Sequence, residues 1–217
     1  MKRVFSLVVL LALFATSAAA TGIRNTPHDL SSSSTATIRS DNVDDLCVFC
    51  HTPHAASTSV DNAPLWNRGV SAELLAADLS DSPSLTTAST PAAVVTEVND
   101  SDARLCLSCH DGTSMAGGLV NPPAGVQPTF LNGVATVSGT ANLFDGTDKL
   151  TNDHPIGMVY ATAQGEDSGL RASPAGVRFF DGVMWCASCH DVHNNANAPF
   201  LAMNNSGSAL CLACHDK

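Results

Sequence analysis

All eight cysteines of this chain fall in one repeated pentapeptide, Cys-x-x-Cys-His. The copies are Cys47-Val48-Phe49-Cys50-His51, Cys106-Leu107-Ser108-Cys109-His110, Cys186-Ala187-Ser188-Cys189-His190 and Cys211-Leu212-Ala213-Cys214-His215. This is the spacing of covalent c-type haem attachment. Two thiols add across the two vinyl groups of one porphyrin, and the histidine that follows lies under the iron as its proximal ligand. The rival chemistries fit less well. A disulfide framework needs no repeated triplet. A zinc site or a redox dithiol needs no histidine directly after the second cysteine. The expectation is four covalently bound haems c, with Cys47, Cys50, Cys106, Cys109, Cys186, Cys189, Cys211 and Cys214 as attachment points and His51, His110, His190 and His215 as proximal ligands.

The histidine count extends this reading. Eight histidines are present, and four remain after the proximal set: His28, His54, His154 and His193. Four irons need four sixth ligands, so bis-histidine ligation throughout is expected. His54 follows His51 by three residues, and His193 follows His190 by the same offset. A side chain there does not reach the far face of its own haem but can serve a neighbouring one. By this logic His193 is expected to serve the haem at Cys211 and Cys214, and His54 a haem other than its own. His154 precedes Pro155, which favours an extended or turn backbone. Methionine is the competing sixth ligand; Met115, Met158, Met184 and Met203 are available, Met158 being the nearest rival because it follows His154. Irons with two histidines have no open position, so no catalytic residue and no enzyme activity are expected.

The elements that must hold these groups are short. Asp41, Asn42 and Asp44 are placed to cap a helix leading into Cys47, and Ser101 or Asp102 to cap one carrying the second motif. Ser31–Ser34 reads as an extended or mobile tract, residues 64–68 as a packed turn whose Trp66 covers a haem face or joins the core, and residues 71–79 as one or two helical turns. Residues 80–99 and 112–150, rich in Ser, Thr, Gly, Pro and Asn, show no helical period. Val177, Phe179 and Phe180, then Val183, Met184 and Trp185, flank Asp181-Gly182, a strong hairpin signal that delivers the third motif. The fold class expected is a mostly irregular multihaem cytochrome c with short helices, a small β-hairpin and a core formed by four haems.

Composition sets the compartment. Lys2 and Arg3, an apolar run from Val4 to Ala15 and Ala18-Ala19-Ala20 have the layout of a cleaved signal peptide over 1–20. Residues 21–217 are then one tetrahaem domain. The run is short for a membrane span. The chain is 44% apolar but only 5% aromatic, so its polypeptide core is thin and the apo-chain is expected to be largely unfolded. Its formal charge of −10 argues against nucleic acid and anionic membranes as partners.

Several segments resemble the tetrahaem extracellular cytochromes of metal-reducing bacteria that polymerise into filaments, the OmcE type. They are His28-Asp29-Leu30, CVFCHTPH at 47–54, PLWNR at 64–68, RLCLSCHDGT at 104–113, NDHPIGM at 152–158, CASCHDVHN at 186–194 and LCLACH at 210–215. The last two are also similar to the doubled-CXXCH family of exported cytochromes. The resemblance implies a stacked chain of bis-histidine haems with little regular secondary structure. It also implies copies of the same chain as partners, with His28 on its N-terminal arm ligating a neighbour's haem. The function expected is electron transfer outside the cytoplasm, through filaments to extracellular metal acceptors. The alternative is a monomeric periplasmic carrier that docks to redox proteins, with His28 closing its own subunit's site.

Overall fold

The computed structural model describes residues 22–61, 63, 65–70, 74–75, 78–79, 98–144, 146 and 149–216. The signal-peptide reading, residues 80–97 of the loop expected over 80–99 and most of the helical turns expected over 71–79 lie outside these residues, and the described end of that loop, 98–99, is helical instead. Among those described, residues 98–100 are helical and four further short α-helices form: α1 over Ala103–His110, α2 over Tyr160–Glu166, α3 over Cys186–Cys189 and α4 over Ala209–Cys214. One two-stranded antiparallel sheet joins β1, Met158–Val159, to β2, Val183–Met184. The rest is turns and irregular chain, as the composition led us to expect. No helix among the described residues is long and apolar enough to cross a membrane.

The hairpin signal is met at its tip and not along its length. Asp181 and Gly182 both take positive φ, 52° and 81°, the requirement of a two-residue type I′ turn. Phe180 and Val183 exchange both backbone hydrogen bonds across it at 3.0 Å. Beyond the turn, β2 leaves residues 177–180 and pairs with β1, Met158 opposite Met184 and Val159 opposite Val183. Phe179 packs instead on Tyr160, with ring centroids 4.4 Å apart.

Apolar side chains gather in three separate patches. Leu74, Leu79, Val98, Ala103, Leu107, Leu150, Val183 and Trp185 form one between α1 and β2. Met158, Tyr160, Ala163, Leu170, Met184 and Cys214 form the second, around β1, α2 and α4. Val43, Phe49, Met115, Phe130 and Ala135 form the third, around the first motif. Each patch lies beside one or two of the Cys-x-x-Cys-His segments, so apolar packing here supports the motifs locally. Met115, Met158 and Met184 are buried in these patches.

The N-terminal segment is anchored rather than mobile. Asp29 is fully buried and accepts hydrogen bonds from the Asn25 N–H (2.8 Å), the Ser31 N–H (3.2 Å) and the Ser31 hydroxyl (2.5 Å). The Ser33 N–H donates to Asp44 at 2.9 Å, and the Ser32 N–H to the Val43 carbonyl at 2.8 Å. The serines act here as local hydrogen-bonding partners that tie down turns. Their small side chains leave room for the chain to fold back on itself, which composition alone does not reveal.

Candidate haem-attachment sites

Positions i, i+3 and i+4 share one face of a helical turn. Cys-x-x-Cys-His has this spacing, and the backbone turns accordingly. The His51 N–H donates to the Cys47 carbonyl at 2.8 Å, His190 to Cys186 at 3.0 Å and His215 to Cys211 at 2.9 Å. The second motif is the C-terminal half of α1, for which Asp102 is the N-cap residue without a side-chain cap bond. Ser101 supports the start instead: its hydroxyl accepts the Ala103 N–H at 3.2 Å. The first motif departs from expectation. It is a single turn without a preceding helix, and Asp45, not Asp41, Asn42 or Asp44, accepts from the Cys47 and Val48 N–H groups. Asp41 and Asn42 are drawn away to the Gln127–Thr129 segment.

The motifs are neighbours in sequence order. Burial pushes the Cys50 thiol up to about 12, and the nearby Cys109 adds to the shift, which joins motifs one and two. Cys106 and Cys186 share a thiol–thiol hydrogen bond, which draws the Cys106 thiol down and pushes that of Cys186 well up, joining two and three. Burial raises Cys189, with Cys214 and Cys211 adding to it, joining three and four. None of the eight cysteines forms a disulfide.

Three of the four motif histidines face a second histidine ring. The centroid separations are 5.9 Å for His110 and His28, 6.1 Å for His51 and His193, and 6.4 Å for His215 and His154. Two metal–nitrogen bonds of about 2 Å each, with about 1.1 Å from nitrogen to ring centre, put two imidazoles on one metal roughly 6 Å apart. His193 therefore faces the first motif and not the fourth, contrary to the expectation from chain proximity. The loop after His190 turns back on its own motif, through the His190–Leu201 bridge and the Ala202 N–H on the Cys189 carbonyl at 2.8 Å. His54 and His190 are both exposed, and among the described residues no ring stacks on either.

Surrounding groups suit the role. The His110 Nδ1–H donates to the Ala141 carbonyl at 2.7 Å, and the His154 Nδ1–H to the Pro155 carbonyl at 3.0 Å. Each bond selects the tautomer that leaves Nε2 for a metal. Burial, helped by His110 and His190, lowers His28 to about 4, so it is neutral at ordinary pH. Two buried donors beside the first motif, Trp66 Nε1 and Arg68 Nε, have no acceptor among the described residues. Arg68 is only 3% exposed, and its Nη2 donates to the Ser108 carbonyl at 3.4 Å. A buried guanidinium calls for an anion, and a haem brings two carboxylates. The residue set, thiol pairs with imidazoles, a buried guanidinium and a buried indole N–H, fits c-type haem. Sequence reading singled out Trp66 but missed Arg68, whose burial has no local signature.

Comparison with known proteins gives one family match: residues 181–217 match the model of the doubled CXXCH motif, covering motifs three and four. No curated protein matches the chain. The doubled motif supports the multihaem c-type cytochrome family, and with it covalently bound c-type haem and a part in electron transfer.

Proposed function

We propose that the chain is an exported tetrahaem electron-transfer protein in which each iron has two histidine ligands. The observation that carries this reading is the set of three histidine pairs at 5.9, 6.1 and 6.4 Å, each joining a motif histidine to a spare one. His28 then completes the haem site at Cys106 and Cys109, His193 the one at Cys47 and Cys50, and His154 the one at Cys211 and Cys214. Reciprocity assigns His54 to the haem at Cys186 and Cys189: the third motif lends its i+3 histidine to the first, and the first lends its own in return. Haem supplies the one-electron chemistry, and the chain's residues orient and tune it. Arg68 and Trp66 hold a carboxylate edge. The haems fill the space between the three apolar patches and form the core that the polypeptide lacks.

The sequence-order adjacency of the motifs supports passage of electrons along the chain from one haem to the next. With every iron six-coordinate, the protein carries electrons and does not turn over a substrate. Its partners are redox proteins or extracellular metal acceptors, and the leader over 1–20 sends it out of the cytoplasm. Assembly of copies into an extracellular filament remains part of the proposal on the strength of the resemblance. His28 faces its own chain's His110, however, so the geometry favours a chain complete in its own ligands. Copies would then associate through their surfaces, not through an arm histidine.

The test is the mass and spectrum of the secreted holoprotein. Four haem equivalents, all low-spin in both oxidation states, are expected. A lower haem count or a high-spin iron in the native protein overturns the assignment. Electron microscopy of the same material separates filaments from discrete carriers.

A further inference from the structure

The three histidine pairs differ in how their rings are turned. The planes cross at 84° for His28 and His110 and at 69° for His154 and His215, but at only 19° for His51 and His193. The axial ligands are one of the levers by which a protein tunes haem iron. Each imidazole π system overlaps the iron d orbital that lies perpendicular to the ring plane. Parallel rings act on one orbital and split the pair. Crossed rings act on both alike and leave them nearly degenerate.

A ring on a single bond turns freely unless something holds it, so a crossed pair needs a restraint on both sides. On one side His110 is held by its Nδ1–H bond to the Ala141 carbonyl. On the other, His28 lies face-on against Phe200, with centroids 4.5 Å apart and planes within 23°. Phe200 is itself fixed. It is 5% exposed, its N–H donates to Asn195 Oδ1 at 2.9 Å, and its carbonyl accepts the Asp191 N–H at 2.8 Å. Turning His28 by a right angle would drive its edge into the Phe200 ring.

We propose that Phe200 is a positioning residue that fixes the ring plane of His28 across that of His110, and so makes the haem at Cys106 and Cys109 electronically distinct from the one at Cys47 and Cys50. This rests on the bis-histidine reading above. Phe200 belongs to the loop that leaves the third motif and also carries His193. One loop thus turns the ligand of the second haem and supplies the ligand of the first.

The test is low-temperature electron paramagnetic resonance of the oxidised holoprotein, with haem content checked by mass. Wild type is expected to show a highly anisotropic low-spin signal from crossed pairs beside a rhombic signal from the near-parallel pair. His28→Met identifies the contribution of the second haem. Phe200→Leu is expected to remove that contribution, one haem in four, and to add rhombic intensity, with all four haems still attached and low-spin. Phe200→Tyr keeps the aromatic face and should restore the wild-type spectrum. Asn195→Ala, which only loosens the Phe200 backbone, should shift the same signal by less, and serves where the leucine variant yields no holoprotein. If Phe200→Leu and Asn195→Ala both leave the His28-dependent signal in place, the role of Phe200 is overturned. Loss of the signal in Phe200→Tyr overturns it equally. If His28→Met itself changes nothing, the ligand assignment fails, which is a different result.

Discussion

The second and fourth motifs each face a histidine brought from a distant loop, but the two loops are anchored by different physics. The arm that brings His28 is held by buried groups: Asp29, fully buried with three local donors, and the Phe200 ring. The loop that brings exposed His154 starts at Lys149, which pairs with Asp78 at 2.7 Å with side chains 34% and 15% exposed. Beside it the Leu150 N–H donates to the Asp78 carbonyl at 3.0 Å. A buried polar network is costly to break because its donors lose all partners. A partly exposed ion pair contributes little and depends on pH and salt. The two deliveries should therefore fail in different ways.

Removal of the ligands is the strongest way to break this comparison. His28→Ala and His154→Ala are each expected to turn one haem in four from low-spin to high-spin. The half-buried His28 site, with Phe200 packed beside it, should stay five-coordinate, whereas the exposed His154 site should take up water as a sixth ligand. Resonance Raman spectra with the same coordination state in both variants would remove the contrast. Next in size, Asp29→Ala leaves three donors without an acceptor and should cost the holoprotein about 2–3 kcal/mol in denaturant unfolding; Asp29→Asn, which keeps one acceptor oxygen, should cost less. Gly22→Ala tests the other end of the arm. A Cβ there would collide with the His193 carbonyl, so a loss of roughly 1–3 kcal/mol is expected. An unchanged melting temperature would mean that the arm is free of the His193 loop.

The smallest effect is expected at the surface pair. Lys149→Ala should cost about 0.5 kcal/mol. Burial pushes the Asp78 carboxyl up, but the Lys149 ammonium and the Leu75 N–H outweigh it and hold the group below its ordinary value. A carboxyl lowered on folding stabilises above its unfolded pKa, and that contribution is lost as pH falls through the lowered folded value. Melting curves on the acid side should accordingly be shallower in Lys149→Ala than in wild type, and the difference should shrink in high salt. An acid limb of equal slope would assign no role to the pair.

Much of the local design can be read without coordinates. The turn at Asp181-Gly182, the helix through the second motif and the predominance of irregular chain follow from short-range rules: positive φ in a two-residue turn, a hydroxyl at a helix start, and Gly, Pro and Ser where no period exists. The misreadings share a cause. The Ser31–Ser34 tract reads as extended or mobile because two of its partners, Val43 and Asp44, reach it only once the chain has folded back. Asp44 looked like a helix cap and is taken up by Ser33. β2 looked like one arm of a local hairpin and pairs with Met158–Val159 instead. In each case a short-range preference gave way to a partner further along the chain.

The sequence by itself determined the attachment chemistry and the number of available ligands, because thiols at i and i+3 and an imidazole at i+4 meet on one turn wherever that turn lies. The same spacing led to the expectation that a histidine three residues past a motif histidine serves elsewhere, and the His193 ring faces His51. Only the tertiary structure decided which imidazole faces which. That choice depends on where loops return: the 190–202 loop closes on its own motif and turns His193 to His51 and Phe200 to His28, while Asp29 pins the arm that brings His28 to His110. Ring angles of 84° and 19° are set by the same contacts. They are properties of packing, which no spacing along the chain encodes.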